Sequence, residues 1–382
     1  MRVLYLSHGN IPSKWAHTFQ VMKMAEALAA RVERLELVTA RSWLPSRVNR
    51  IDLHRWYGVS PSLRVVRLPV HAHLRGEYFA CDESPRFDAA AAWYARLKRP
   101  DLVYTRSITA AARCAAAGLA TILESHLPGD APRLAELRAA ARLPALRCLV
   151  TVTDALREDW IAEGVPAGKI RVWPDAVDLE RFRDLPAPEA ARATLGSARE
   201  GSLAVYCGHF YEAKGVPCLI EAARRLPKVR FELVGGWPAD IARLRESARD
   251  CESLRFAGFV ANAQVPLHLA AADVLVLPNS GRFPQARTTS PLKLFEYMAA
   301  RRPIVATRIP ALAGLLRHAE NAWLVTPDSA QALADGIERV LADPGLAQRL
   351  AERAWRDVQH YTWERRATEL LEAAGATSRS RP

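Results

Sequence analysis

Short apolar runs alternate along this chain with longer segments whose apolar residues recur at helical spacing. In the first such segment, residues 19–30, Val21, Ala25 and Leu28 fall on one helix face. Buried apolar strands joined by crossover helices form parallel sheets, and each crossover takes a dozen or more residues. The alternation therefore predicts an α/β fold with parallel sheets.

The alternation runs through the chain twice. Strand-like runs lie between Val3 and Val172, and a second series begins at Leu203. Between them, Pro186 and Pro188 interrupt any helix or strand, because proline cannot donate a backbone hydrogen bond. A chain of 382 residues is also too long for one ordinary core. We therefore predict a first domain over residues 1–182 and a second beginning at residue 183.

Composition narrows the class of protein. Half of the residues are hydrophobic, which excludes a disordered or fibrous chain, and no apolar stretch reaches about 18 residues. The N-terminal apolar run is too short for a secretory signal. The six cysteines are widely spaced, as in buried thiols of a reducing compartment: Cys81, Cys114, Cys148, Cys207, Cys218 and Cys251. We expect a cytoplasmic protein, with peripheral attachment to the inner face of the cell membrane as a further expectation.

Several common catalytic motifs are missing from the sequence. It contains no Gly-x-Gly-x-x-Gly, no Walker loop, no His-Glu-x-x-His and no Gly-x-Ser-x-Gly. It also lacks Asp-x-Asp, the short acidic pair that clamps a metal in metal-dependent sugar-nucleotide transferases. We therefore expect no metal site.

Residues 206–215 (Tyr-Cys-Gly-His-Phe-Tyr-Glu-Ala-Lys-Gly) have the features of a phosphate-binding turn. The chain leaves a predicted strand, turns at Gly208 and carries Lys214 just before a helix that begins near Val216. Backbone N–H groups at a helix start, together with an ammonium group, favour phosphate. A simple turn with a solvated lysine is the alternative interpretation.

A second segment, residues 287–300, has a hydroxyl-rich loop before a predicted helix. Ser290 is expected to cap this helix and Pro291 to occupy its first position. The amides of the first turn can then meet an anion, with Glu296 about one and a half turns along. In isolation, a glutamate such as Glu296 is more often a surface carboxylate.

These two segments and three others resemble the retaining glycosyltransferases of family 4. The five segments are Gly208–Gly215, Phe295–Ala306, Ala272–Pro278, Val172–Phe182 and Tyr361–Glu364. The resemblance runs over about residues 1–374 and is strongest over 203–326. It implies a GT-B fold: two Rossmann-like, doubly wound parallel-sheet domains facing a central cleft. The second domain would span residues 183–358, and a C-terminal helix over 359–382 would cross back to the first.

The resemblance also implies roles for particular residues. Lys214 would neutralise the donor diphosphate, and Glu296 would hold the ribose hydroxyls. The other expected donor contacts are Gly208, His209, Thr288, Thr289, Ser290 and Leu292, with Phe259 and Val260 against the base. In the first domain, His126 matches the active-site histidine, with Glu124 and His17 on the acceptor side. The co-substrate would be a UDP- or GDP-linked sugar, with no cofactor.

The sequence departs from the family pattern in four places. His209 stands where an arginine is common, so a fixed charge is replaced by a group that is largely neutral at pH 7. Thr288 stands where the first glutamate of a Glu-x7-Glu pair is usual. Residues 12–18 replace a glycine-rich loop, and Asp175-Ala176 replaces Asn-Gly. The identity of the sugar therefore cannot be carried over.

We expect a hexosyltransferase that retains the anomeric configuration and acts on a glycan, lipid-linked or small-molecule acceptor. Because Thr288 is no substitute for a carboxylate nucleophile, we expect a front-face reaction assisted by the leaving phosphate, with His126 positioning the sugar. A sugar-nucleotide epimerase or a phosphorylase of the same fold is the main alternative. A basic nucleic-acid-binding protein would also use the net charge of +12, but no RNA- or DNA-binding module is present.

Cations and aromatic rings interleave between the early strands. The residues are Arg41, Trp43, Arg47, Arg50, Arg55, Trp56 and Tyr57. Such a patch suits an anionic membrane surface or a polyanionic glycan. A solvated loop remains the alternative.

Overall fold

The structure is a computed structural model that describes residues 1–8, 11–13, 15–41, 52–71, 85–126, 131–197 and 201–375. The chain divides into two compact units, Met1–Asp175 with Trp363–Pro382, and Ala176–Thr362. Four residues named above, Trp43, Arg47, Arg50 and Cys81, lie outside the described residues. Among the described cysteines, Cys114, Cys148, Cys207 and Cys251 are buried, and Cys218 is half-buried.

The first unit is built on one parallel sheet of seven strands. The strands are β1 (Arg2–Ser7), β2 (Arg34–Arg41), β3 (Arg64–His71), β4 (Leu102–Thr105), β5 (Thr121–Ser125), β6 (Leu146–Thr151) and β7 (Ile170–Val172). The helices that follow them are α1 (Ala16–Ala29), α2 (Leu53–Tyr57), α3 (Pro85–Lys98), α4 (Ile108–Ala116), α5 (Ala131–Ala141) and α6 (Asp154–Ala162). The strand order is β3-β2-β1-β4-β5-β6-β7, and every pair is parallel. Strands such as β4 are buried throughout, which explains their continuous apolar runs.

The second unit holds a parallel sheet of six strands in the order β10-β9-β8-β11-β12-β13. The strands are β8 (Leu203–Gly208), β9 (Arg230–Gly235), β10 (Leu254–Gly258), β11 (Val274–Leu277), β12 (Ile304–Thr307) and β13 (Trp323–Val325). The helices are α7 (Pro188–Thr194), α8 (Val216–Arg225), α9 (Pro238–Ser247), α10 (Val265–Ala270), α11 (Gln285–Thr288), α12 (Leu292–Ala299), α13 (Ala330–Leu341) and α14 (Pro344–Val358). The last helix, α15 (Trp363–Ala373), belongs to the first unit.

The short turn Leu179–Phe182, expected at the end of the first domain, lies in the second unit. Phe182 is buried in the hydrophobic core of that unit. Just before it, the Val177 N–H donates to the Tyr361 carbonyl at 2.9 Å, again within the second unit. The chain therefore changes unit before residue 182, because the side chains that follow Asp175 pack into the second core.

Two edge strands were not recognised from the sequence. β10 contains Arg255 and ends at Gly258, and it is only partly buried, so it lacks an apolar run. β13 has three residues, too few for a periodic signal. Among the described helices, none is both long enough and apolar enough to cross a membrane.

Candidate functional site

The turn after β8 is held in one conformation by close backbone packing. A short 3-10 helix, Glu212–Lys214, ends at Gly215, which has φ 69°. A Cβ on Gly215 would lie 1.8 Å from the Pro278 carbonyl oxygen, so only glycine fits. The Ser280 N–H donates to the Ala213 carbonyl at 3.1 Å and fastens the turn to the end of β11. Lys214 is thereby fixed directly before α8.

Lys214 is a half-buried cation without a carboxylate partner in the described part of the chain. Its Nζ lies 5.5 Å from the centre of the Tyr211 ring. Burial lowers the pKa of Lys214 to about 8, because the ammonium group has lost part of its hydration. A bound anion would stabilise the ammonium form in place of the lost water and raise this pKa. The position therefore favours a negatively charged ligand.

His209 lies beside Lys214 as a neutral ring. Its ring centre is 5.8 Å from that of Tyr211 and 5.3 Å from that of Trp237. Burial, followed by the charges of Lys214 and Lys293, lowers the pKa of His209 to about 4. At pH 7, His209 therefore adds a polar aromatic surface but no positive charge.

Glu296 is buried between two cations. Lys293 Nζ lies 2.7 Å from one of its carboxylate oxygens, and Arg181 lies 3.2 Å from the other. Burial alone would raise the pKa of Glu296, but Lys293 and Arg181 outweigh it and lower the pKa. Arg181 also donates to the Asn262 carbonyl at 2.6 Å, which links Glu296 to the loop after β10. Glu296 is thus a fixed carboxylate, not a surface one.

The predicted start of α12 is wrong by one residue. The helix begins at Leu292, and Pro291 is its N-cap residue, with extended backbone angles. The Pro291 side chain makes no capping hydrogen bond; the Leu294 N–H donates to the Pro291 carbonyl at 2.9 Å, so the first turn is tight. Ser290 is therefore one position too early to be the cap.

The remaining predicted donor residues lie in the segments that follow β10 and β11. Phe259 is exposed and Val260 is half-buried directly after β10. Thr288 is buried at the end of α11, and Thr289, Ser290 and Leu292 are half-buried around the start of α12. The carboxyl ends of parallel strands share one edge of a sheet, which is where ligands bind in such folds. Within the second unit, the structure therefore brings the predicted donor residues to one edge.

In the first unit, Glu124 is the centre of a buried network at the end of β5. One carboxylate oxygen lies 2.6 Å from Gln20 Nε2 and 2.5 Å from His126 Nε2. The other accepts from the Tyr104 hydroxyl and lies 2.8 Å from Arg366. Burial would raise the pKa of Glu124, but the charge of Arg366 and the bond from His126 hold it well below its usual range. Glu124 is therefore a carboxylate with both oxygens fully engaged.

Arg366 connects α15 to this network. It is almost fully buried and donates to the carbonyls of Trp173 and Pro174 at 3.2 and 3.0 Å. Neither Arg366 nor Gln20 was singled out from the sequence, because nothing in their local patterns indicates a partner on β5. Lys293 could have been found, since it lies three residues before Glu296 on one helix face.

His17 and His126 lie in the same region of the first unit. Burial, followed by the charges of Arg106, His8 and His126, lowers the pKa of His17 to about 3. Arg106 also donates to Gln20 Oε1 at 3.0 Å, which places a cation beside the network. The predicted residues His17, Glu124 and His126 are therefore brought together here.

Glu124, His126 and Asp175 have ligand atoms within 4.8 Å of one another, a spacing that could hold a metal ion. The Arg366 guanidinium, however, is already 2.8 Å from Glu124. A carboxylate has about four acceptor positions, and four donors occupy those of Glu124. The charge and hydrogen bonding of this cluster therefore oppose a metal ion.

Comparisons with known proteins agree with this architecture. The family model for Glycosyltransferase Family 4 matches residues 18–181, and that for Glycosyl transferases group 1 matches residues 201–343. The first match lies almost wholly in the first unit and the second lies wholly in the second unit.

Curated relatives match over part of their length. A phosphatidyl-myo-inositol mannosyltransferase of Mycobacterium tuberculosis is 30% identical over 231 residues, which are 58% of this chain and 57% of that protein. A D-inositol 3-phosphate glycosyltransferase of Xylanimonas cellulosilytica is 27% identical over 67% of this chain and 63% of its own length. The chain thus spans little more than half the length of the curated relatives it matches.

Two solved structures share the fold over nearly the whole chain. Anabaena Alr3699/HepE in complex with UDP has a TM-score of 0.74 and 19% identity, covering 98% of this chain and all of that one. Sucrose-phosphate synthase from Thermosynechococcus elongatus has a TM-score of 0.77 and 22% identity, covering 97% and 98%. Together with the two parallel-sheet units, these similarities confirm the GT-B fold. The chain belongs to glycosyltransferase family 4.

Proposed function

We propose that this chain transfers a hexosyl unit from a nucleoside diphosphate sugar to an acceptor hydroxyl, with retention at the anomeric carbon and without a metal ion. The observation that carries the proposal is Lys214: a half-buried ammonium group at a helix start, without a carboxylate partner in the described residues. A cation in this state is stabilised by a bound anion, and a diphosphate offers two negative groups. The UDP complex of HepE supports a nucleotide ligand for the same fold.

The second unit supplies what a departing diphosphate requires. As the glycosidic bond breaks, negative charge grows on the leaving phosphate, and preorganised cations and N–H groups stabilise it. Lys214 and the first turns of α8 and α12 provide those groups. Glu296, held by Lys293 and Arg181, would accept hydrogen bonds from the ribose, and Phe259 and Val260 would lie against the base. Gly208, His209, Thr288, Thr289, Ser290 and Leu292 would line the diphosphate and the sugar.

The first unit would contribute orientation. Because Glu124 is a carboxylate, its 2.5 Å contact with His126 Nε2 places the imidazole hydrogen on that nitrogen. Nδ1 is then the acceptor that His126 can present to a sugar hydroxyl. With a threonine at position 288, we propose that the leaving phosphate itself assists the acceptor on the front face of the sugar.

The acceptor is proposed to carry negative charge. Both relatives described above are named for inositol compounds that bear a phosphate. Arg106 lies beside His17 and His126 in the first unit, so a cation is at hand for such a group. The proposed acceptors are therefore glycans, lipid-linked compounds or small molecules with a phosphate or another acid.

A panel of nucleotide sugars tests the proposal. Ligand binding raises the unfolding temperature, and transfer releases free nucleoside diphosphate. We expect at least one UDP- or GDP-linked sugar to stabilise the chain. A charge-assisted contact contributes roughly 1.5–3 kcal/mol, so Lys214→Ala should lower donor-dependent turnover by about tenfold to more than a hundredfold. The exposed Lys228 provides the matched control, Lys228→Ala, which should keep full turnover.

Full donor affinity in Lys214→Ala would show that Lys214 does not bind the diphosphate. A covalent glycosyl–protein adduct would contradict the front-face mechanism. Release of a rearranged nucleotide sugar, or consumption of inorganic phosphate, would instead identify the epimerase or phosphorylase alternative on this fold.

A further inference from the structure

The outer face of α3 exposes two large apolar side chains that the proposed transfer does not use. Trp93 and Leu97 are four residues apart, so they share one helix face, and each retains 64% of its maximal exposure. The other exposed large apolar residues in the described chain, Tyr211 and Phe259, lie beside the candidate donor residues. A tryptophan and a leucine exposed side by side form an apolar patch, and such patches with a polar or charged rim mark interaction surfaces.

Two arginines of α3 lie close to this apolar pair. Arg86 is two helical turns before Trp93 and Arg96 is three residues after it, so both border the same face, and both are exposed. Within the described part of the chain, no hydrogen bond or ion pair engages either guanidinium. The one acidic residue of α3, Asp88, is buried on the opposite side. The face, defined by Arg86, Trp93, Arg96 and Leu97, therefore presents apolar groups and positive charge only.

These properties fit a lipid surface better than a protein partner. A stable protein interface buries roughly 800 Å² on each partner and draws on some 20–30 residues, far more than one helical stripe. A bilayer interface, by contrast, accepts a single tryptophan at headgroup level while flanking arginines meet lipid phosphates. The net charge of +12 adds attraction to an anionic surface.

We propose that the outer face of α3 docks on an anionic bilayer, with Trp93 and Leu97 inserted at the headgroup boundary and Arg86 and Arg96 on lipid phosphates. The docking does not depend on which sugar is transferred. It would hold the first unit at a membrane surface, where lipid-linked acceptors reside.

Sedimentation of the full chain with vesicles tests this proposal. The vesicles contain phosphatidylcholine alone or phosphatidylcholine mixed with phosphatidylglycerol. We expect binding to the anionic vesicles only, and loss of that binding at high salt, because screening shortens the reach of exposed charges. The double change Trp93→Ala with Leu97→Ala should weaken vesicle binding by about tenfold or more. The double change Arg86→Gln with Arg96→Gln should weaken it by about tenfold.

The control is Arg255→Gln with Arg349→Gln, two exposed arginines of the second unit, which lowers the net charge equally. It should leave vesicle binding within about twofold of the parent, because neither arginine borders the α3 face. If the control and the α3 arginine variant lose the same amount of vesicle binding, the binding depends only on net charge, and the proposal is overturned. Vesicle binding that survives the Trp93 and Leu97 changes would do the same.

Two further measurements separate other outcomes. If the parent fails to bind vesicles but forms a dimer that the Trp93 and Leu97 changes dissolve, the face is an interface between copies of the chain. Nucleotide-sugar binding, measured on every variant, should be unchanged. A chain that binds vesicles but no nucleotide sugar would contradict the proposed function and leave the docking face intact.

Discussion

The candidate residues of the two units handle charge in opposite ways. In the first unit, the buried carboxylate of Glu124 receives four donors, including the Arg366 guanidinium. In the second unit, Lys214 has no carboxylate within reach in the described residues, while two other cations share the one carboxylate of Glu296. A carboxylate whose acceptor positions are all occupied holds its partners in fixed orientations. A group of cations with too few carboxylates can instead bind an anionic ligand. The first arrangement suits positioning, and the second suits binding of an anionic donor.

The largest expected effect comes from breaking the saturated network. Arg366→Met would leave Glu124 as a buried carboxylate without its cation, and losing one partner of a buried pair costs about 3–5 kcal/mol. We expect a loss of that size in the free energy of unfolding, measured by urea denaturation. Arg365→Met on the same helix removes an exposed arginine paired with Glu369, and it should cost at most about 1 kcal/mol. Equal losses in the two variants would mean that the Glu124 network contributes no special stability.

The opposite change in the second unit should act on binding. Glu296→Gln keeps the size of the side chain but removes the negative charge that we propose accepts hydrogen bonds from the ribose. Hydrogen bonds to charged groups contribute roughly 1.5–3 kcal/mol, so nucleotide-sugar affinity should fall about tenfold to a hundredfold. Titration calorimetry on the parent, on Glu296→Gln and on the exposed control Glu338→Gln measures the difference. Unchanged affinity in Glu296→Gln would remove Glu296 from the ribose site.

The comparison also shows what the sequence could and could not predict. The β8 turn with Lys214 was foreseen, because strand, glycine, lysine and helix start are adjacent in the chain. Arg366 and Arg181 were not, since each meets its carboxylate only after distant segments have packed together. The start of α12 was misplaced by one residue because Ser-Pro fits an N-cap and a first position equally well in the sequence, and only the extended backbone at Pro291 decides.

A smaller effect should follow from the pKa of Lys214, which burial lowers to about 8. Below pH 8, the Lys214 ammonium group already carries the charge that the proposed contact with the diphosphate requires. Above pH 8, Lys214 must first take up a proton, so affinity for UDP-glucose should fall by up to about tenfold per pH unit. His209, with a pKa near 4, stays neutral from pH 6 to 9 and adds no slope.

The change Lys214→Arg isolates this dependence, because a guanidinium keeps its charge throughout the range. The affinity of that variant for UDP-glucose should be independent of pH between 7 and 9, whereas the affinity of the parent should fall above pH 8. A parent affinity that is itself independent of pH over this range would show that Lys214 does not change its charge there or does not meet the diphosphate.

The smallest expected effect concerns the fork of Arg181, which joins Glu296 to the Asn262 carbonyl. Arg181→Lys keeps the charge beside Glu296, but an ammonium group cannot hold both partners in one plane. Losing one hydrogen bond of about 1 kcal/mol should lower nucleotide-sugar affinity by about fivefold, with little change in stability. The loop after β10 carries Phe259 and Val260, so the loss should differ between UDP- and GDP-linked sugars if these residues contact the base. The neighbouring exposed arginine gives the control, Arg183→Lys. If both substitutions have the same effect on affinity, the two hydrogen bonds of Arg181 do not help to position the donor. The cations of the second unit would then act through their charge alone, unlike the hydrogen-bonded network around Glu124.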